Sequence, residues 1–410
     1  MSKSKAGLIS IICLLLSCLL AAGCTSSGFD SKLNEIVKPY RFSIIGWEIE
    51  AISYELEEWI FGDSSGTADE SLVVLEYFNL VQQIAYLERQ IEVVRDGIEP
   101  GDMTILKDQL ESSREQKDAL KSKAEKIMEK QIRETLGQLG IFNPADSYLG
   151  IKIGFPPVNF ELEAPPHLLV VSPRDSIERI KEINLLQDIT LEEIEDIEKA
   201  INELGVSSLV VGLGGMATYP AFVSDKFGLQ FTINAATEEW LHQYLFFKPL
   251  GFLYSLHLTG TFPDSEIAVM NETLAGMVSE EIGSILYQNY YSQHVEGNGQ
   301  KEAEETEFDF YREMREIRLA VDEYLAKGEI EQAEEFMEQK RLFLASKGYY
   351  IRRLNQAYFA FYGTYADSPA SIDPIGVELR ALRQQTASLG DFLNKVAVMT
   401  SHNDLDNSIE

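Results

Sequence analysis

Two short runs hold side chains whose types and spacing could do chemistry. The first is Thr237-Glu238-Glu239-Trp240-Leu241-His242-Gln243-Tyr244-Leu245 and the second is Met270-Asn271-Glu272-Thr273-Leu274-Ala275. On a helix, Glu238 and His242 project from one face a turn apart, while Glu239 points about 100° round. Imidazole nitrogen and carboxylate oxygen are donors for divalent metal ions, so residues i and i+4 can grip an ion while the acid at i+1 handles protons. Glu272 supplies what such a pair still lacks, a third ligand from elsewhere in the chain.

Taken together, the two runs resemble the gluzincin metallopeptidases, whose short motif is His-Glu-x-x-His followed on a later helix by Asn-Glu-x-x-Ala. The resemblance covers residues 206–283. It implies that Glu238 takes the first ligand position, Glu239 the general base, His242 the second ligand, and Glu272, within Asn271-Glu272-Thr273-Leu274-Ala275, the third. It also implies a zinc ion, a peptide or protein substrate, and a tyrosine hydroxyl that stabilises the tetrahedral oxyanion. Tyr358, Tyr362 and Tyr365 are the candidates for that hydroxyl.

One position departs from the pattern: the first ligand is Glu238 rather than His. Two His and one Glu leave Zn²⁺ with net charge +1, whereas one His and two Glu leave zero. A negative charge ~4–5 Å from the bound water, at an effective dielectric near ~20, changes its energy by roughly 3–4 kcal/mol, or about two pKa units. The water becomes a weaker acid than at an ordinary catalytic zinc, and harder ions such as Mn²⁺ accept the extra carboxylate readily. A working variant, a site for another metal and a disabled relic all fit this composition. His257, in the stretch between the runs, is an alternative source of the missing imidazole. The competing reading of Glu238 to His242 is an acidic helix start followed by an aromatic core face, which a chain with 66 acidic residues readily produces.

A second departure concerns Gly214-Gly215-Met216-Ala217-Thr218. Aminopeptidases of the gluzincin group carry Gly-x-Met-Glu-Asn on the edge strand beside the active-site helix, and the Glu holds the substrate amine. Here Ala217 stands in that place, so an exopeptidase preference is not supported.

The elements that must position these residues follow from the rest of the chain. Lys3 and Lys5, the apolar run 8–20 and Ala21-Ala22-Gly23-Cys24 form a targeting segment. It resembles a bacterial lipoprotein signal. Cleavage after residue 23 would leave Cys24 acylated, with residues 24–30 as a tether, on the extracytoplasmic face of the cell membrane. Of three Cys, Cys13 and Cys18 leave with the signal, so no disulfide framework is possible and any metal site must use His and carboxylates. Losing Lys3 and Lys5 takes the formal charge from −31 to −33. Such a surface repels nucleic acid and anionic lipid and leaves the covalent anchor as the route to the bilayer.

Residues 31–142 read as helical. Ile45, Ile49, Ile52, Leu56 and Ile60 make one stripe. Leu80, Ile84, Leu87, Ile91, Val94 and Ile98 make a coiled-coil seam. Pro100-Gly101-Asp102 then turns the chain into an antiparallel return helix, and the pair is expected to brace the rest. Residues 143–400 form the gluzincin-like region. Strands are expected at 148–155, 158–162, 167–171 and 207–213, with a helix between Thr190 and Gly205 marked by a capping box. After the first run, Lys248-Pro249-Leu250-Gly251 ends the helix and an aromatic-rich loop leads to a helix opening near Glu272, where Ala275 and Gly276 permit close packing. Two acidic helices meeting at Gly328 are expected to cover one side of the site. A helix over 375–400 and a polar tail, 401–410, complete the chain.

The resulting fold is predominantly helical α+β: an N-terminal helical hairpin, a small mixed sheet beside the metal-motif helix, and C-terminal helices. The functional expectation is a membrane-anchored metallopeptidase that hydrolyses peptide bonds with metal-activated water. The alternative is an inactive envelope lipoprotein that uses the same scaffold to bind a peptide or protein.

Overall fold

The computed structural model describes residues 28–42, 70–143, 154–294, 308–366 and 368–409. The targeting segment with Cys24, the stripe at 45–60 and most of the strand expected at 148–155 lie outside them. The architecture is predominantly helical α+β, with 13 helices and two three-stranded sheets among the described residues. None of those helices is long and apolar enough to cross a membrane.

Helix α1 (Gly28–Val37) leads to a long antiparallel hairpin, α2 (Glu70–Arg95) and α3 (Met103–Gln138). Asp102 caps α3 by accepting from the amides of Thr104 and Ile105. Leu80 and Leu87 of the expected seam are buried, but Ile98 at the tip is 72% exposed. The hairpin is anchored at its root instead. Val74, Tyr77 and Phe78 of α2 and Ile127, Met128, Ile132 and Leu136 of α3 enter the main hydrophobic core. Tyr77 donates to Asp225 at 2.6 Å, and Lys117 pairs with the same carboxylate at 3.2 Å.

Strand β1 (Phe160–Glu161) lies at one edge of a mixed sheet ordered β1-β6-β5, where β5 is Gly215–Met216 and β6 is Ala221–Val223. β1 runs parallel to β6 and β5 antiparallel to it. Glu125 and Glu129, one turn apart on α3, accept from the amides of Leu162 and Phe160 and so satisfy the outer side of β1. The second sheet, ordered β3-β2-β4, is antiparallel throughout and comprises β2 (His167–Pro173), β3 (Lys181–Leu185) and β4 (Val206–Val211). Helix α4 (Leu191–Asn202) packs on it through Ile194, Ile197 and Ile201, and the Thr190–Glu193 capping box is formed.

The centre of the molecule is the pair α5 (Leu229–Leu245) and α7 (Ser265–Tyr290), which carry the two motif runs. The stretch between them is not the expected loop. Pro249, with its fixed φ, starts helix α6 (Pro249–Leu258), and Asp264 caps α7 well before Glu272. Glu272 therefore sits in the third turn of α7, held by helix on both sides. Close approach of α5 and α7 depends on Gly283 rather than Gly276: a Cβ at 283 would lie 2.0 Å from Asn234 Oδ1, whereas one at 276 would meet open space.

Helices α8 (Phe310–Ala326) and α9 (Ile330–Ser346) form the acidic hairpin, turning at Gly328 with φ +75°. Their stripe, Met314, Ile317, Val321 and Met337, does not cover the motif helices. It closes on Phe359 of α10 (Gln356–Tyr362) and on Leu354 and Ala370, because those residues present the matching apolar face. The expected helix over 375–400 is two, α11 (Ile375–Gln385) and α12 (Leu389–Ala397), since Ser388 caps a new helix by accepting from the Asp391 amide. The tail is ordered as α13 (His402–Asp406), with Leu405 fully buried.

Candidate metal centre

Glu238 and His242 leave α5 on the face turned toward α7, and Glu272 comes to meet them. One ligand atom from each lies within 4.8 Å of the others. His242 Nε2 is 3.8 Å from Glu272 Oε2. The side chains of His242 and Glu272 are only 12% and 10% exposed, so this imidazole and carboxylate meet largely away from bulk water.

The imidazole is oriented by the residue that precedes the third ligand. Asn271 Oδ1 lies 2.9 Å from His242 Nδ1, which places the ring proton on Nδ1 and turns the Nε2 lone pair toward Glu272. Asn271 Nδ2 is buried without a hydrogen-bond partner. The other oxygen of Glu272 accepts from the hydroxyl of Tyr254 on α6, and the Tyr254 ring stacks on His242 with centroids 5.8 Å apart.

No family model matches the chain. No curated protein and no solved structure matches it either.

Donor chemistry and spacing fit a divalent ion. Tetrahedral zinc with bonds of ~2.0–2.1 Å separates its ligand atoms by roughly 3.4 Å, a few tenths less than the His242–Glu272 distance. The longer bonds of Mn²⁺ narrow that difference, and two carboxylates suit the harder ion. Glu238, His242 and Glu272 would be the ligands. Among the described residues His257 does not join this cluster: its Nδ1 accepts from the Asp264 amide at 2.9 Å and fixes the turn into α7.

The carboxyl of Glu239, the residue after Glu238, lies beside the mixed sheet. A Cβ on Gly215 would stand 2.4 Å from Glu239 Oε1, so the carboxyl lies directly against the backbone of β5. Burial, reinforced by the charges of Glu238 and Glu272, holds its pKa well above the usual carboxylate range. β5 is an edge strand of its sheet, and both of its residues are half-buried. Gln243 Nε2 donates to Thr218 O at 2.6 Å and ties the turn after β5 to α5.

The three candidate tyrosines separate. Tyr365 lies within the field of Glu272, Glu238, Tyr254 and Glu239, and burial together with those charges raises its pKa well above the ordinary value. Thr273, next to Glu272, sets its position by accepting from the Ala366 amide at 2.9 Å. Tyr358 and Tyr362 instead contact each other with tilted rings, centroids 4.5 Å apart, and pack against the antiparallel sheet.

Two further residues at the site carry no signal in the sequence. Tyr254 lies on α6, where a loop is expected, and no pattern marks it. Arg179, just before β3, bonds to Glu182 and to the Thr364 hydroxyl, and its charge reaches Glu272 and Tyr254. Its charge acts on the acid side of the cluster at Glu272, and a lone Arg in a charged stretch gives no signal in one dimension. Surface hollows of about 550, 200 and 660 Å³ lie elsewhere and are lined by none of the cluster residues.

Proposed function

We propose that this chain is an extracytoplasmic, lipid-anchored hydrolase of the gluzincin metallopeptidase type that cleaves peptide bonds. The observation that supports it is the convergence of Glu238, His242 and Glu272 from two helices, with Asn271 fixing the imidazole tautomer. Glu238, His242 and Glu272 would hold a zinc or manganese ion, which would supply Lewis-acid polarisation. The chain's own residues do the rest. Glu239 takes a proton from the attacking water and returns it to the leaving amine. Tyr365 donates to the developing oxyanion. Tyr254 and Asn271 hold two of the ligands in place, and an extended substrate pairs with the open edge of β5. Acylated Cys24 keeps the enzyme at the bilayer.

The test is metal analysis of the purified acylated chain. We expect near-stoichiometric divalent ion, lost in Glu272→Ala and retained in Glu239→Gln, with only Glu239→Gln separating binding from peptide hydrolysis. If no ion binds under any supply of zinc or manganese, the hydrolase reading fails, and the scaffold serves to bind a peptide or partner without turnover.

A further inference from the structure

Helix α10 ends at Gly363, where a Cβ would lie 2.5 Å from Phe359 O, so the chain leaves the helix in a turn with no room for one. Thr364, Tyr365 and Ala366 follow, and hydrogen bonds from different parts of the fold hold both neighbours of Tyr365. On one side the Ala366 amide donates to Thr273 Oγ1 of α7 at 2.9 Å, one residue past Glu272. On the other side Arg179 Nη2 donates to Thr364 Oγ1, and that hydroxyl donates in turn to Ala360 O at 3.2 Å. The carbonyl of Tyr365 itself accepts from the Ser368 amide at 2.9 Å. Thr364 and Ala366 are both buried, so water does not compete for these bonds.

Arg179 is itself fixed to the antiparallel sheet. Its chain neighbour Ile180 donates to Val171 O of β2 at 2.9 Å and so continues the pairing of β2 with β3. Its Nη1 donates to Glu182 of β3 while Nη2 reaches Thr364, so one planar guanidinium joins a strand to the segment after α10. We infer that Arg179 is a positioning residue for peptide hydrolysis, which holds Thr364 against the sheet and thereby sets the place of Tyr365. This rests on the proposed part of Tyr365 as the oxyanion donor.

A donor stabilises an oxyanion only if it is already aimed at the place where the charge develops. Misplacing such a group by about 1 Å costs on the order of 100-fold in rate. A tyrosine whose two neighbours are both anchored has little freedom to leave that position. Cutting the Arg179 bond frees residue 364 while Thr273 still holds residue 366, so the donor shifts and the metal ligands on α5 and α7 stay where they are. The turnover number then falls without a matching change in KM or in bound metal.

The experiment compares Arg179→Met, Thr364→Val and Thr364→Ser in the acylated chain, with dye-quenched casein as the probe. Lys181→Met is the control, since it cuts the 3.0 Å pair between the same strand and Asp30 of α1. We expect kcat to fall roughly 10- to 100-fold in Arg179→Met and Thr364→Val, with KM and metal content unchanged, and to recover in Thr364→Ser, which keeps the hydroxyl. In a Tyr365→Phe background Arg179→Met should add nothing. The second readout needs no turnover: 3-fluorotyrosine at position 365 of the metal-free chain gives a fluorine resonance that should shift or broaden in Arg179→Met and Thr364→Val, and hold in Thr364→Ser and Lys181→Met. Thr364→Val conserves volume, which guards against the arginine variant failing to fold. An unmoved resonance and unchanged kcat overturn the inference, as does a loss that adds to that of Tyr365→Phe or is shared by Lys181→Met. If the parent chain cleaves no casein, the hydrolase reading fails separately, and the resonance alone decides whether Arg179 holds Tyr365.

Discussion

Gly215 has no side chain, and Glu239 occupies the space a methyl group would fill. Gly215→Ala should therefore push the carboxyl off β5 while leaving the three ligands in place. The expected outcome is a roughly 100-fold fall in peptide hydrolysis, with metal affinity by titration calorimetry nearly unchanged. Asn271→Ala tests the other half of the site. Without Oδ1 the imidazole loses the partner that sets its tautomer, and metal affinity should fall about 10–100-fold. Glu238→His restores the +1 charge of the usual ligand set, so zinc should bind more tightly and hydrolysis near neutral pH should rise. If both fall, the carboxylate is an adapted ligand and the charge argument fails. The proposed ligands and base are legible in one dimension because they lie within two short runs whose spacing has chemical meaning. Tyr254, Arg179 and Gly215 are not, since each is placed by a different element.

At the scale of elements, the site depends on how closely α5 approaches α7. Gly283→Ala puts a methyl group 2.0 Å from Asn234 Oδ1. Overpacking of this kind costs about 1–3 kcal/mol, so the midpoint of thermal unfolding should drop and bound metal should drop with it. A second element-level device lies at the C-terminus, where His402 of α13 meets Glu378 of α11 at 2.6 Å, with Glu266 of α7 and Asp406 of its own helix nearby. Burial alone would lower its pKa, but the hydrogen bond and charge of Glu378, with Asp406 and Glu266, outweigh that and raise it above the usual histidine value. The folded state therefore binds this proton more tightly than the unfolded chain. The contribution is fully present below about pH 6.5 and is lost as pH rises through the raised value. Melting His402→Gln beside the parent protein across this range should show the largest gap at the acid end. Parallel curves would remove the clasp from the account of stability.

Over the whole molecule, the excess of carboxylates opposes folding by self-repulsion. Raising the salt from about 0.01 to 0.1 M shortens the screening length from ~30 to ~10 Å, so the unfolding temperature should rise with salt, before any specific ion effect. The same chain shows where one-dimensional reading stops. By itself the sequence determined the predominantly helical α+β class, the hairpin turn at Pro100-Gly101, the capping box at Thr190 and the two motif runs. Each of these is encoded within a few neighbouring residues, by period, cap or spacing. Only the tertiary structure decided that α6 replaces the expected loop and that the acidic hairpin closes on α10. It also decided that Tyr365 rather than Tyr358 or Tyr362 faces the acids. Those outcomes turn on which apolar faces and buried hydrogen bonds are satisfied between segments far apart in the chain, and no local pattern records that pairing.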